Sequence, residues 1–400
     1  MMRMRDPDEP AKARFGSRVW FKDLMGQENV VTVRIGGSAM AFDRRRPFND
    51  LPPLPPKADV ETKAILKKAI AAGRSLAELK GIGGIIPNQA MLVNTLVLQE
   101  AKASSEIENV VTTNDALFRA LTANGGQVDP ETKEVLRYRE ALWQGFTALT
   151  GKPVLSTNVF IGIAQTIKQN REGIRNAPGT VIADRVTGAI IYTPPQGCAV
   201  IQRKLAQLEK FMRAKDDLDL LVKMALVHYQ FEAIHPFFDG NGRVGRVVNI
   251  LFLVLNGLLD MPVLYLSKYI IERKALYYRL LLGVTERREW EPWIIFMLDA
   301  VESTSKFTGQ RILGIHSLFQ ETLETARTAL PRRVYSKELV ELLFKQPYTK
   351  GEFLVDAGIA ERQTAAEYLR ELEKAGILKS RKVGRERLYL NVRLYDLLSK

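Results

Sequence analysis

Between His235 and Arg246 the chain reads HPFFDGNGRVGR, which puts an imidazole, a carboxylate, three glycines and two guanidinium groups in one short window. Gly240 and Gly242 let backbone N–H groups approach an anion closely, and a helix starting there would aim its positive end at the same point. Arg243 and Arg246 are spaced so that, on a helix, their guanidinium forks share one face. The pattern describes a phosphate cradle. Asp239, just ahead of the glycines, is placed to hold a Mg²⁺ ion bridging phosphate oxygens. His235 could then take a proton from an incoming hydroxyl, a role typically worth about 10²–10⁴ in rate.

The window also contains G-x-G-x-x-G, which in a dinucleotide-binding fold follows a β-strand so that pyrophosphate meets a helix N-terminus. Here the preceding segment is helical, because Leu220, Met224, Val227, Phe231 and Ile234 step by four and three residues. Asp260 lies 20 residues beyond Gly240, but the intervening VVNILFLVLN is apolar nearly all round and reads as one buried helix, not as a route to a second strand. No G-x-x-x-x-G-K-S/T occurs in the chain. Helices must therefore position the cradle.

Those helices are legible on both sides. The stretch before Asp59 reads as an irregular arm ending in LPPLPP, whose prolines forbid a helix. ETKAILKKAIAAGRSLAELKG and PNQAMLVNTLVLQEAKASSEIENV then carry good helix formers, the first closed by Gly81 and the second opened by Pro87. Helical texture returns over Asp129 to Leu149, Ser156 to Asn170 and Val200 to Arg213. Between the last two, TVI and AIIY flank a turn-forming VTG, which predicts a β-hairpin over Thr180 to Tyr192. Further helices are expected over Ser267 to Val284 and Trp290 to Ser305. The end of the chain reads as helix, short helix, longer helix and two strands about Gly384, the order of a winged helix-turn-helix. The fold class expected is mainly α.

A chain of 400 residues with 46% hydrophobic content can bury a sizeable core and suggests two or three domains. The balance of 58 basic against 45 acidic residues favours an anionic partner. MMRMRDPDEP lacks the apolar run of a signal peptide, and the longest greasy stretch, Val247 to Leu259, is short for a bilayer and carries two Asn. A cytoplasmic protein without a membrane partner is the expectation. Cys198, the single cysteine, reads as a passive side chain.

The window matches, at every specified position, the Fic family motif His-Pro-Phe-x-Asp/Glu-Gly-Asn-Gly-Arg-x-x-Arg, and in this the sequence resembles that family. The resemblance implies an all-helical catalytic core with a β-hairpin flap, and a nucleotidyltransferase that usually moves AMP from ATP to a protein hydroxyl. It implies His235 as the base, Asp239 as the Mg²⁺ ligand, and Gly240, Asn241 and Gly242 as the anion hole for the α- and β-phosphates. Arg243 would meet the β-phosphate and Arg246 the γ-phosphate, with Val244 and Gly245 completing the ATP-binding stretch. Phe237 resembles a core anchor. Tyr277 and Tyr278 resemble positions near the adenine pocket, although helix-face packing reads equally well from the sequence. His228 reads as a supporting or packed residue.

Family members often carry an inhibitory helix with Ser/Thr-x-x-x-Glu-Gly/Asn, and Ser104, Glu108 and Asn109 fit it. A carboxylate there would form a bidentate pair with Arg246 and take the γ-phosphate's partner, leaving Glu108 as a brake on the ATP site. Domains follow as an arm (1–58), a helical module with the inhibitory helix (59–125), the catalytic core (126–305), a linker helix (306–330) and the winged helix (331–400). The partners implied are ATP and a protein bearing a Ser, Thr or Tyr hydroxyl, the chain itself included, held in extended form on the flap edge. A homodimer is consistent with this. Removal of AMP by the same glutamate, or transfer of UMP, phosphocholine or phosphate, are alternatives within the family. A DNA-binding regulator with a nucleotide-sensing core is the alternative outside it: Arg362, Gln363 and Thr364 would face bases and Lys379, Arg381, Lys382, Arg385 and Arg387 would hold phosphates. Glu361, Glu367, Glu371, Glu373 and Asp356 weigh against DNA and towards protein docking or dimerisation.

Overall fold

The computed structural model describes residues 18–21, 42–84, 89–122, 128–184, 186–383 and 386–399, with residues 18–21 and 89–94 described by backbone alone. The fold is mainly α. In chain order it runs β1 (Arg18–Phe21), α1 (Lys63–Gly83), α2 (Gln89–Ile107), α3 (Asn114–Ala120), α4 (Pro130–Gly151), α5 (Thr157–Lys168), β2 (Val181–Asp184), β3 (Ile190–Tyr192), α6 (Cys198–Arg213), α7 (Leu220–Ile234) and α8 (Asn241–Leu255). It continues with α9 (Leu266–Glu272), α10 (Lys274–Arg287), α11 (Trp290–Ala329), α12 (Lys337–Phe344), β4 (Tyr348–Thr349), α13 (Gly351–Asp356), α14 (Arg362–Lys374), β5 (Lys379–Val383), β6 (Glu386–Leu390) and α15 (Val392–Ser399).

Local chemistry accounts for several boundaries. Asp129 caps α4 by accepting the Thr132 N–H at 2.7 Å, with Pro130 in the first turn where its missing N–H costs nothing. Asp219 caps α7 through the N–H groups of Leu221 and Val222, and Ser336 caps α12 through Leu339. At its other end α7 stops because His235 turns left-handed, φ 49° and ψ 61°. Gly240, at φ 81°, makes the reverse entry into α8, where an L side chain would be strained.

The two helices joined by this loop form the centre of the core. From Leu221 to Phe231 every residue of α7 is buried, as is nearly all of α8, so neither helix has a polar face and both are enclosed by others. α4 and α5 cover α8, while α11 and α6 cover α7. Trp293 of α11 donates its indole N–H to the Ala225 carbonyl at 2.9 Å, so even the largest buried side chain is satisfied.

The hairpin pairs Ile182 with Tyr192 and Ala183 with Ile190, and β1 runs parallel to β2 along its other edge, from Arg18 opposite Val181 to Phe21 opposite Asp184. Much of the expected arm lies outside the described residues. Its inner part, Phe42 to Pro56, is applied to the flap: Phe42 and Phe48 pack on Tyr192, and the Phe48 N–H reaches the Thr193 carbonyl.

Three differences from the sequence expectation stand out. The segment expected as one helix over Ser267 to Val284 is divided into α9 and α10 at Arg273. α11 runs 40 residues without a break across the boundary expected at Ser305, because Ile312, Ile315, Phe319 and Ala326 keep one face buried beyond it. β1, which lies in the arm expected to be irregular, and α3, β4 and α15 were not anticipated, all being too short for a periodic signal.

Beyond α11, helices α12 to α15 enclose a sheet of order β4-β6-β5. Gly384 and Arg385 lie outside the described residues. This C-terminal unit is fastened to α3: Tyr348 donates to Asp115 at 2.5 Å, and Tyr395 meets Phe118 edge-on with ring centroids 5.9 Å apart. Phe118 is fully buried. Truncating it, Phe118→Ala, should cost about 3–5 kcal/mol in chemical denaturation, the range for deleting a buried aromatic ring; a loss under about 1 kcal/mol would show that this junction contributes little.

Candidate functional site

The site is built on the turn between α7 and α8. His235 is buried with no side-chain partner on either ring nitrogen among the described residues. Burial pushes its pKa down to about 3, the Arg175 guanidinium acts the same way, and the Glu232 carbonyl and Asp239 act weakly against them. The imidazole is therefore neutral at physiological pH, with a lone pair free to take a proton.

Asp239 follows, its side chain over half exposed and its Oδ1 accepting the Gly240 N–H at 2.6 Å. Partial desolvation by the surrounding protein works against its ionisation, but the Lys168 ammonium at 2.5 Å, with Arg243 and the Gly240 N–H, outweighs this and holds the carboxyl below its ordinary pKa. Asn241 uses both ends of its amide within the turn, accepting from the Phe237 N–H and donating to the Phe237 carbonyl, each at 2.8 Å. Phe237 itself is buried against Phe231.

On the first turns of α8 the two arginines have separate fates. Arg243 is buried and ion-paired with Glu134 of α4, which also accepts from Lys168 of α5. Burial opposes ionisation of Glu134, yet those two cations keep its pKa lowered. Arg246, 1% exposed, donates Nε to Ser104 Oγ at 2.8 Å and Nη2 to both the Ser104 carbonyl at 2.9 Å and Glu108 Oε1 at 2.8 Å. Burial disfavours its charge, but Glu108 chiefly, with Tyr277, Tyr278 and Glu232 nearby, holds its pKa above the ordinary value.

Ser104 and Glu108 thus meet Arg246 across 142 and 138 residues of chain, while the Asn109 side chain accepts from Lys274 Nζ at 3.4 Å. Asn109 takes the left-handed conformation just after α2, φ 64°, which turns the chain immediately past Glu108. The pair is not bidentate as expected: Nε and a share of Nη2 go to Ser104, so one carboxylate oxygen meets one nitrogen.

A cavity lies over this array, with Glu108, His235, Asp239, Gly242, Arg246 and Tyr277 in its wall. A second, apolar recess adjoins it beneath the flap, lined by Ile182, Ile191, Tyr192 and Leu281 among others. Glu232 and Tyr278 border both. Of the stretch expected to bind ATP, Arg243, Val244 and Gly245 do not line this cavity. Val244 is in the hydrophobic core, and Gly245 sits where α8 meets α7, with Glu232 and Phe231 filling the space a Cβ would need. Tyr277 is buried among Trp293 and Phe296, with its hydroxyl hydrogen-bonded to His228 Nε2 at 2.8 Å, which is the packing use expected of it. Of the residues considered for DNA, Arg362 and Gln363 are exposed at the start of α14, and Arg381 faces Asp115 at 3.6 Å.

Glu134, Lys168, Arg175 and Glu232 were not anticipated. The first two lie on ordinary helix faces whose partners are remote in sequence. Glu232, three residues before His235 on α7, is part-buried, with Oε1 shielded from solvent and lacking a hydrogen-bond partner among the described residues; burial pushes its pKa up to about 8, with Arg246 opposing this and Glu108 adding to it.

Comparison with known proteins places three family profiles on the chain: "Fic/DOC family N-terminal" over residues 66–147, "Fic/DOC family" over 155–253, and "Protein adenylyltransferase SoFic-like, C-terminal domain" over 318–394. A curated protein of Aquifex aeolicus, named as a probable protein adenylyltransferase, is 36% identical over 88 residues, a stretch amounting to 22% of this chain and 27% of that protein. A crystal structure of a Fic family protein from Desulfovibrio desulfuricans superposes with a TM-score of 0.50 at 19% identity, covering 83% of this chain and 96% of the other, a likeness of fold. Among the described residues no helix is long and apolar enough to cross a membrane.

The Glu232 carboxyl gives a pH-dependent test of this geometry. Its folded pKa, about 8, exceeds the ordinary 4.5, so between those values the unfolded chain has released a proton that the folded one retains, and stability is lost as pH rises. Glu232→Gln keeps the shape without ionising. Relative to wild type it should gain stability on the order of 1 kcal/mol per pH unit across that window, read by denaturation near both ends; a pH-independent difference would contradict the burial described.

Proposed function

This chain belongs to the Fic/DOC family, and on that premise we propose that it transfers AMP from ATP to a hydroxyl of a protein, with Glu108 as an internal brake. The observation that carries the reading is the contact of Glu108 with the buried Arg246 at the edge of a cavity that also holds a neutral His235.

In the proposed reaction the triphosphate lies along the turn before α8, where the N–H groups of Gly240 to Gly242 and the helix N-terminus supply positive potential. The apolar recess beneath the flap would take the adenine, since an aromatic base needs flat apolar walls and few polar contacts. The hydroxyl oxygen of the target attacks the α-phosphorus. A new P–O bond forms, the bond from the α-phosphorus to its bridging oxygen breaks, pyrophosphate departs and the hydroxyl proton passes to the His235 imidazole.

Asp239 is the residue that would hold Mg²⁺. Among the described residues there is no cluster of three or more metal-ligating side chains, and one accessible carboxylate beside a phosphate cradle suits an ion that takes most of its ligands from water and substrate oxygens. When bound, the ion would neutralise charge on the departing pyrophosphate. Lys168 must then release Asp239, and Arg243 must divide its fork between Glu134 and the β-phosphate.

Glu108 restrains this by occupying Arg246. Its Oε1 also fills the space beside Gly242 that a Cβ would need, so the carboxylate closes both the arginine and the end of the cradle. ATP entering with Glu108 in place would lack its γ-phosphate partner and lie in a posture unsuited to attack.

Incubation with α-labelled and, separately, γ-labelled ATP tests the proposal without knowledge of the target, through labelling of the chain itself and of added proteins. Label should be incorporated from the α-position alone. Glu108→Gly should raise it by about tenfold or more, equivalent to 1.4 kcal/mol of released restraint, and His235→Ala should lower it by about 10²–10⁴. Equal labelling by wild type and Glu108→Gly would remove the brake, and incorporation from the γ-position would remove AMP as the cargo.

A further inference from the structure

The last carbonyls of any helix lack partners within it, and at the end of α7 they bracket His235. The Phe231 carbonyl accepts the His235 N–H at 3.0 Å through the left-handed turn. The Ala233 carbonyl accepts the Tyr192 hydroxyl at 2.7 Å. The next three all turn to one residue: Arg175 donates Nη2 to the Ile234 carbonyl at 3.4 Å, Nε to the His235 carbonyl at 2.7 Å, and its backbone N–H to the Pro236 carbonyl at 2.9 Å. Nη2 also reaches the Pro195 carbonyl at 2.5 Å.

Arg175 is 1% exposed and makes no ion pair among the described residues. A buried guanidinium facing only carbonyls is costly, and burial lowers its pKa to about 10. The negative end of the α7 dipole is what compensates it. His235, for its part, is held in a conformation that costs a non-glycine residue on the order of 1–2 kcal/mol, which persists only where the surroundings over-determine it.

The location adds a second constraint. Arg175 precedes the flap strand β2, and Pro195 follows the flap strand β3, so the same side chain binds the entry and exit of the flap to the backbone of the imidazole. Tyr192, the last residue of β3, adds a further tie to α7.

We infer that Arg175 is the positioning residue of the reaction: it locks the backbone of His235 to both ends of the flap, so that a protein segment lying on the flap presents its hydroxyl to a base at a fixed distance. This rests on the proposed role of His235. Arg175 touches neither ATP nor target. Its loss should leave nucleotide binding intact while displacing the reacting atoms, and a displacement of about 1 Å can cost about 10²-fold in rate.

The test uses the full chain carrying Glu108→Gly, in which transfer is not restrained. Loss of labelling in Glu108→Gly/His235→Ala first establishes the underlying reading; without that loss it is the reading, not Arg175, that fails. Adding Arg175→Met should then lower kcat for labelling by about 10²-fold while changing the ATP Kd less than about threefold. Arg175→Lys, one ammonium in place of a fork, should recover part of the rate.

The acid limb of the kcat profile should also move to higher pH in Arg175→Met, since a cation that disfavours the imidazolium has gone while Asp239, which favours it, and Arg246, Glu232 and the Glu108 position in the same cavity wall are unchanged between the two proteins. Unchanged kcat in either variant overturns the inference, as does an equal fall in ATP affinity and rate with the acid limb unmoved. If Arg175→Met fails to fold, Arg175→Lys decides on the same criteria.

Discussion

A guanidinium with 1% of its surface in contact with solvent has to be met by something negative, and at Arg246 that requirement organises the rest of the site. Glu108 meets it from α2, with Ser104 taking Nε and a share of Nη2. Removing one partner from a buried charge pair commonly costs about 3–5 kcal/mol. The arginine cannot simply be left bare. In the proposed reaction it exchanges one anion for another, the carboxylate for a phosphate, and the exchange couples nucleotide binding to the position of α2.

The position of α2 is itself fixed by buried chemistry. Glu100 accepts from the Tyr138 hydroxyl, from Ser267 Oγ and from the Ser267 N–H, which pins the helix between α4 and α9. Burial raises its pKa against the opposing effect of those donors and of Arg246. α3 follows Glu108 after a short turn and is gripped by the C-terminal unit through Asp115 and Phe118. The same principle recurs at the other end of the cradle. Glu134 occupies Arg243 and Lys168, and Lys168 occupies Asp239, so that these charged groups are paired with one another within the chain.

Much of this was legible in the sequence, for reasons that differ from place to place. The central helices announce themselves through apolar periodicity from Leu220 to Ile234 and the largely apolar run after Arg246, interrupted only by Asn249 before Asn256. The flap is visible because β-branched runs flank Val186, Thr187 and Gly188, a turn in which Gly188 adopts φ 71°. Ser104, Glu108 and Asn109 carry meaning only beside a known motif, since two glutamates near a helix end are otherwise unremarkable. Helices were expected up to Ser305 and again over 306–330, and their continuity as α11 was missed because Ser303, Thr304, Ser305 and Thr308 dilute the apolar signal at the join.

Arg175 and Glu134 were illegible for a deeper reason. Arg175 acts through backbone carbonyls, which every residue has and no side-chain pattern marks; Glu134 acts on a partner 109 residues away, and spacing along a chain carries no trace of that encounter. The claim on which all else turns is that Glu108 and the γ-phosphate compete for Arg246. Calorimetric titration of ATP and of ADP into wild type and Glu108→Gly isolates it, because only ATP carries the competing group. The expected result is that the ratio of ATP affinity to ADP affinity rises by about tenfold in Glu108→Gly, equivalent to 1.4 kcal/mol; the same ratio in both proteins would contradict it.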